Sequence, residues 1–473
     1  MKSLNLPKYF SVILSCLFFS CGDDPVTPTP PSTSDPSSPD SPNTEEVLSP
    51  AEQKEYLETV ALEFIKEFSA SDFDKLSNIC EDIDELYGED YDWDMVDDWA
   101  EKAFDSSREA LGSPTTNTEK YTYSYGTYIY NYITTNYKSI ILASNFTGHF
   151  TANNGGWTRK NSDHLQFDFT DKQGKSYALK LETSGNVKRV HMLDIEDWDT
   201  YYQSEGYNYT YNNYIDYTSY TIGLPETIKI TLSEGSNQII SNIIKFDLSG
   251  ITNEEFDISR NSLSFSTIIE IDNGYRVDIS RVAYSANKNA SASVVISKGE
   301  KKLVTIGAAA DVNDIPSVNL GAFSDFDIDD YETDKTNAKN AFVKLDIIGK
   351  IQLQGKLSDA RKFADYLEEA DDNDNSESNF KSYINQANSL ADINLFYNGN
   401  SVKQADVKFE AFVDYSWNGV EYWTAEPVLY FFDGSSYSTF EAFFREKDFE
   451  NTIDTFEELI DDFAELFDED FEW

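Results

Sequence analysis

Cysteine, histidine and methionine are nearly missing from this chain, with three of each in 473 residues. Cys16 falls within an N-terminal apolar stretch, which leaves Cys21 and Cys80. Two cysteines make no disulfide framework and no thiolate zinc spacing. Basic residues are scarce as well: 37 Lys and Arg stand against 85 Asp and Glu, for a net charge of −48. A field of that sign repels phosphate backbones and argues against nucleic-acid binding, which needs a basic footprint. It attracts cations such as Ca²⁺ and basic partners, and it keeps a protein soluble. Catalytic signatures are absent too. There is no Gly-x-Ser-x-Gly and no His-Glu-x-x-His. Lys172-Gln173-Gly174-Lys175-Ser176 holds a Gly-Lys-Ser, but Phe169 stands where a phosphate loop requires glycine, so the tripeptide reads as a hairpin turn.

What is present begins at the N-terminus. Lys2 and Lys8 precede an apolar run, Tyr9 to Phe19, too short to span a bilayer as a helix. It ends in Phe18-Phe19-Ser20-Cys21-Gly22. That ending resembles the lipobox of exported bacterial lipoproteins, although Phe at 18 and 19 departs from the usual pattern. The resemblance implies a signal peptide over 1–20 and a diacylglyceryl group on Cys21. Residues 21–48 read as a linker: Pro25, Pro28, Pro30, Pro31, Pro36, Pro39 and Pro42 lie among Ser, Thr and Asp. Such a tract cannot bury a core and favours extended polyproline II. Asp23 and Asp24, just after the cysteine, resemble the export signal of surface lipoproteins in the Bacteroidota. The implied location is the outer membrane, lipid-anchored and facing outward.

From Ser49 the pattern is helical. Ser49-Pro50-Ala51-Glu52 carries a cap, a proline suited to the first helical position and a capping-box glutamate. Leu57, Val60, Ala61, Phe64, Ile65 and Phe68 fall on one face. Phe73, Leu76, Cys80, Ile83 and Tyr87 form a second stripe, in which Cys80 packs as a small apolar side chain. Met95, Val96, Trp99 and Ala103 mark a third helix over 92–111. These make an N-terminal helical part, 49–113. From Tyr121 the period becomes two. Turns at Lys172–Lys175, Gly185-Asn186, Asn273-Gly274, Lys298–Lys301 and Asn398-Gly399 separate apolar strands and imply antiparallel hairpins. Helices return in an insertion at 357–391 and in a C-terminal helix at 437–470, inside a sheet region of 114–473. The expected fold is α+β: a long, curved antiparallel sheet with helices on its concave face.

Candidate sites are few. His149, His164 and His191 share one sheet region and, with Glu182, are candidate metal ligands. Asp325, Asp327 and Asp329 alternate as in a Ca²⁺ loop, but Asp330 and Thr336 stand where an EF-hand needs Gly and Glu. The densest signal is aromatic. Tyr201, Tyr202, Tyr207, Tyr209, Tyr211, Tyr214, Tyr217 and Tyr220 crowd a short stretch after Trp198. Tyr and Trp offer apolar faces with polar handles, suited to sugar rings and protein partners. The leading expectation is therefore a non-catalytic, surface-displayed lipoprotein that binds a glycan or a protein through Trp198, Tyr207, Tyr209, Tyr211 and Tyr214. Two alternatives stand beside it. Helices set against a long antiparallel sheet resemble the LolA-type half-barrel of periplasmic lipoprotein carriers, an architectural likeness that implies a hydrophobe carrier with an open apolar cavity. Abundant carboxylates allow a glycoside hydrolase, which needs two acids in a cleft, one with a raised pKa.

Overall fold

A computed structural model describes residues 46–88, 91–105, 108–110, 112–124, 126–153, 155–251, 260–313, 337–432, 437–443 and 446–467. Cys21 and the linker up to residue 45 lie outside them, as do Asp325, Asp327 and Asp329. Helices α1 (Pro50–Ile65), α2 (Asp74–Tyr87) and α3 (Asp94–Asp105) come first. Strands β1 (Arg108–Ala110), β2 (Thr115–Tyr123), β3 (Gly126–Leu142), β4 (Gly148–Asn153), β5 (Gly156–Lys160), β6 (Leu165–Thr170), β7 (Ser176–Glu205), β8 (Asn208–Glu234) and β9 (Asn237–Asp247) follow. The chain continues through β10 (Leu263–Ile271), β11 (Tyr275–Ser285), β12 (Asn289–Lys298), β13 (Lys301–Asn313), β14 (Asn337–Ile347) and β15 (Ile351–Asp359). Helices α4 (Ala360–Asp371) and α5 (Glu377–Leu390) interrupt it. Then come β16 (Ala391–Tyr397), β17 (Lys403–Trp417), β18 (Val420–Phe431), β19 (Tyr437–Thr439), a single helical turn at Phe440–Phe443 and the closing helix α6 (Glu446–Phe467).

The fold is α+β, one long curved sheet flanked by N-terminal, middle and C-terminal helices. From β7 to β19 each strand pairs antiparallel with the next. The hairpin signals explain this: Asn398 and Gly399 both take positive φ, the twist-matched geometry of a tight two-residue turn. Among the described residues two pairings are parallel, β3 with β8 and β4 with β6, which turn signals could not announce. Gly185-Asn186 is not the expected turn. There β7 runs straight on through a bulge opposite Glu226, with Gly185 at φ +86° absorbing the extra residues.

Alternation places one face of the sheet against the helices. Leu76, Ile79 and Val96 of α2 and α3 bury against Phe150, Phe167, Leu179, Leu232 and Ile240. Leu57 of α1 and Phe449 of α6 pack on Leu395, Val407 and Leu429. Phe380 and Ile384 of α5 form a third patch with Phe409 and Trp423. Removing one such large side chain costs about 2–5 kcal/mol. Met95, expected on the packed face of α3, is exposed. That helix stops at Asp105, short of 111, where the chain turns into β1. The expected helix 437–470 starts later, because Tyr437–Thr439 adds to β18 as an edge strand. Ser49 caps α1 with the full reciprocal box to Glu52. The scarce lysines tie helix to sheet: Lys350 reaches Glu63 at 2.6 Å, Lys301 reaches Glu67 at 2.8 Å and Lys298 reaches Asp72 at 2.6 Å. The hydrogen bond from Lys350 holds the Glu63 carboxyl below its usual range. Cys80 packs against the first core, and burial pushes its thiol up to about 11, so it stays protonated and unreactive near neutral pH. No helix among the described residues is long and apolar enough to cross a membrane.

Candidate binding face

The β7–β8 hairpin is longer than the strands beside it. On one side β6 covers only Ser176–Leu181, and on the other β9 covers only Thr227–Glu234. Beyond that, Asn208–Gly223 of β8 pairs in parallel with β3, which pairs antiparallel with β2. The result is a four-stranded arm in the order β2, β3, β8, β7.

Register decides which tyrosines meet. Tyr209 and Tyr211 of β8 stand opposite Tyr128 and Tyr130 of β3. Tyr128 and Tyr130 in turn stand opposite Tyr121 and Glu119 of β2, and Tyr211 stands opposite Tyr202 of β7. Directly paired residues share a face, so these side chains form one tyrosine surface. The rings of Tyr128 and Tyr209 stack with centroids 4.9 Å apart, and those of Tyr130 and Tyr211 at 4.7 Å. Tyr123 and Tyr121 flank the first ring of each pair edge-on, and Tyr202 flanks the second. The opposite face carries a polar ladder: Thr118 donates to Asn131, and Asn131 donates to Asn212. These bonds hold β2, β3 and β8 in register from behind. Gly126 lets the strands close up, because a Cβ there would lie 1.8 Å from the Tyr207 carbonyl oxygen.

A cleft of about 310 Å³ opens on this surface, lined by Glu119, Tyr121, Tyr123, Tyr128, Tyr130 and Tyr132. The Tyr121 hydroxyl donates to Glu119 Oε2 at 3.1 Å, and the neighbouring carboxylate holds that phenol above its ordinary range. Every residue of β2 is exposed, Tyr121 at 46% and Tyr123 at 63%.

Of the five residues expected to bind, Tyr209 and Tyr211 lie on this face. The Trp198 backbone pairs with Ile215 of β8, and its side chain lies outside the described residues. Tyr207, 74% exposed, occupies the turn at the tip. Tyr214 falls on the other face, where its ring meets Tyr201. The expected set is therefore split by strand alternation. Tyr128, Tyr130, Tyr132 and Glu119 were not among the expected residues. The alternation of Tyr128, Tyr130 and Tyr132 was a visible signal, but their parallel partner is about eighty residues away, with no turn to reveal it.

The other candidates fare differently. His149 Nε2 is 2.6 Å from Asp168, and His164 Nδ1 is 2.6 Å from Asp163. Glu182 pairs instead with Lys180. The His191 side chain lies outside the described residues, and among those described no group of three metal ligands occurs. Two adjoining apolar grooves lie on the helix-bearing face. One, about 410 Å³, runs between Leu57, Phe449 and Ile453 and the sheet residues Leu345, Leu353 and Leu429. The second, about 240 Å³, shares Leu345 and Leu353 and reaches Phe363. A mixed cleft of about 940 Å³ lies beside α3, bordered by Asp94, Asp97, Asp98, Trp99, Trp157 and Arg159. Burial, with the charges of Asp94 and Asp98, raises the Asp97 carboxyl. No family model, no curated protein and no solved structure matches the chain.

Proposed function

We propose that the chain is a non-catalytic binding lipoprotein, anchored through Cys21 at the outer membrane and displayed at the cell surface. Its ligand, a glycan or a protein, is held on the tyrosine face of the arm. One observation carries this reading: half-buried stacked tyrosines on a sheet surface, flanked by the exposed rings of Tyr121, Tyr123 and Tyr202 and bordering an open cleft. Exposed aromatic surfaces of this kind mark interaction sites. The anchor rests on the lipobox-like ending at Cys21 and the proline-rich stretch after it. The test is binding of the full chain to arrayed glycans and peptides. Tyr207→Ala, Tyr209→Ala and Trp198→Ala each weaken the signal while the melting temperature stays nearly constant. Parallel loss of fold and binding would assign these residues to packing.

A second reading, a hydrophobe carrier, is favoured by the paired apolar grooves, the larger of which, about 410 Å³, falls within the range of small-ligand sites. Native mass spectrometry of the purified chain checks it: a co-purifying lipid, lost in Leu345→Lys, supports a carrier, and a bare chain with no uptake of fatty acid rejects it. The glycoside hydrolase reading draws on Asp97 alone, whose raised carboxyl follows from burial and like-charged neighbours.

A further inference from the structure

The central rings of the tyrosine face are partly used up: Tyr128, Tyr130, Tyr209 and Tyr211 each have one ring face covered by another of the four. Tyr128 and Tyr130 stack on Tyr209 and Tyr211 on one side and meet Tyr123 and Tyr121 on the other. Tyr202 flanks Tyr209 and Tyr211 in the same way. What remains open is the cleft between the β2 and β3 rows, with five phenol rings and one carboxylate, Glu119, in its wall. Aromatic walls with an acid among them suit a cation, since a ring's negative face attracts positive charge.

The backbone beside the cleft is open as well. β2 pairs with β3 alone, so over Thr115–Tyr123 its outer edge has no strand partner among the described residues. An added strand would bring every second side chain onto the tyrosine face, beside Glu119, Tyr121 and Tyr123. Lys120 belongs to the opposite face by alternation. Charge selects among occupants: a net −48 repels a second copy of this chain and draws in a basic segment.

We infer that β2 receives an extended, basic segment of a partner protein as an added strand, with a Lys or Arg side chain seated in the cleft against Glu119. This rests on the reading of the tyrosine face as the ligand surface. It narrows that ligand to a basic polypeptide.

The probe is a labelled ten-residue peptide of alternating Lys and Thr, titrated into the full chain in detergent. Binding is expected, and a Glu-for-Lys version does not bind. Glu119→Gln and Tyr121→Ala each weaken binding about tenfold, the scale of one lost cation contact in a partly desolvated cleft. Glu421→Gln, an exposed charge on β18, changes it less than about twofold, as screened attraction at a distance requires. Methylating alternate peptide amides on one edge removes binding, while leaving the peptide's charge intact. Equal losses at Glu119 and Glu421 would reduce the effect to diffuse attraction and overturn the inference. So would binding indifferent to amide methylation, or a dimer of the chain that buries β2. Glycan binding that depends on Tyr130, with no peptide binding, would sink the basic segment and leave the tyrosine face as ligand surface. No tyrosine-dependent binding of either kind would sink both.

Discussion

Rings stack across a parallel strand pair in two regions of this molecule, fully buried in the body and half-buried beside an open cleft in the arm. In the body, Phe150 of β4 and Phe167 of β6 face each other across a parallel pair, their rings stacked 4.9 Å apart. In the arm, Tyr130 of β3 and Tyr211 of β8 do the same at 4.7 Å. Phe150 is 0% exposed and Phe167 4%, covered by Trp99 and Trp157. The tyrosine stack, by contrast, borders an open cleft on an edge strand. A helix over the first pair makes it core. A hydroxyl on each ring of the second lets it stand in water. Stacking alone therefore does not tell a core from an open sheet face; what covers the stack does.

Substitutions in either region should separate the two stacks. The largest effect is expected from Phe150→Ala, which should destabilise the fold by about 3–5 kcal/mol, read as a lower denaturation midpoint. Gly126→Ala comes next. Its φ of +149° and the 1.8 Å approach to the Tyr207 carbonyl leave no room for a methyl group. The arm should open at a cost of about 1–3 kcal/mol, seen as faster amide exchange confined to β2, β3 and the tip of the hairpin. Phe150→Tyr and Tyr130→Phe sharpen the contrast. A hydroxyl buried at 150 without a partner should cost about 1–3 kcal/mol. Its removal at 130 should leave the melting temperature unchanged. Smallest is Asp97→Asn. The Asp97 carboxyl is raised in the folded chain, so its ionisation weakens the fold above that folded pKa, and the penalty is gone below the unfolded one. The variant should melt slightly higher than the parent at pH 7 and level with it at pH of about 3.

The two regions also differ in how far the sequence revealed them. The body could be read. Ser49 with Glu52, the stripe through Leu76 and Cys80, and the Asn398-Gly399 turn are local devices, each acting within a few residues, and each forms the element it signals. The arm was half visible. The Tyr207–Tyr211 alternation marked a strand, yet its neighbour β3 joins it in parallel from far away. Nothing local encodes such a pairing, so Tyr128 and Tyr130 stayed apart from Tyr209 and Tyr211 on the page. Gly185 misled for a related reason: a glycine that ends a strand and one that bends it through a bulge look alike until the opposite strand is known. Tyr214 was grouped with Tyr209 by nearness in sequence, whereas a strand sorts residues by parity.

If the arm's tyrosines recognise a ligand and do not merely pack, a substitution there separates binding from stability. Tyr130→Ala tests it when melting and ligand retention are measured on the same preparation. The expected result is a stability loss of no more than about 0.5–1.5 kcal/mol, the worth of one aromatic pair, together with at least tenfold weaker binding. Unfolding on the scale of Phe150→Ala, or undiminished binding by a stable variant, would contradict it.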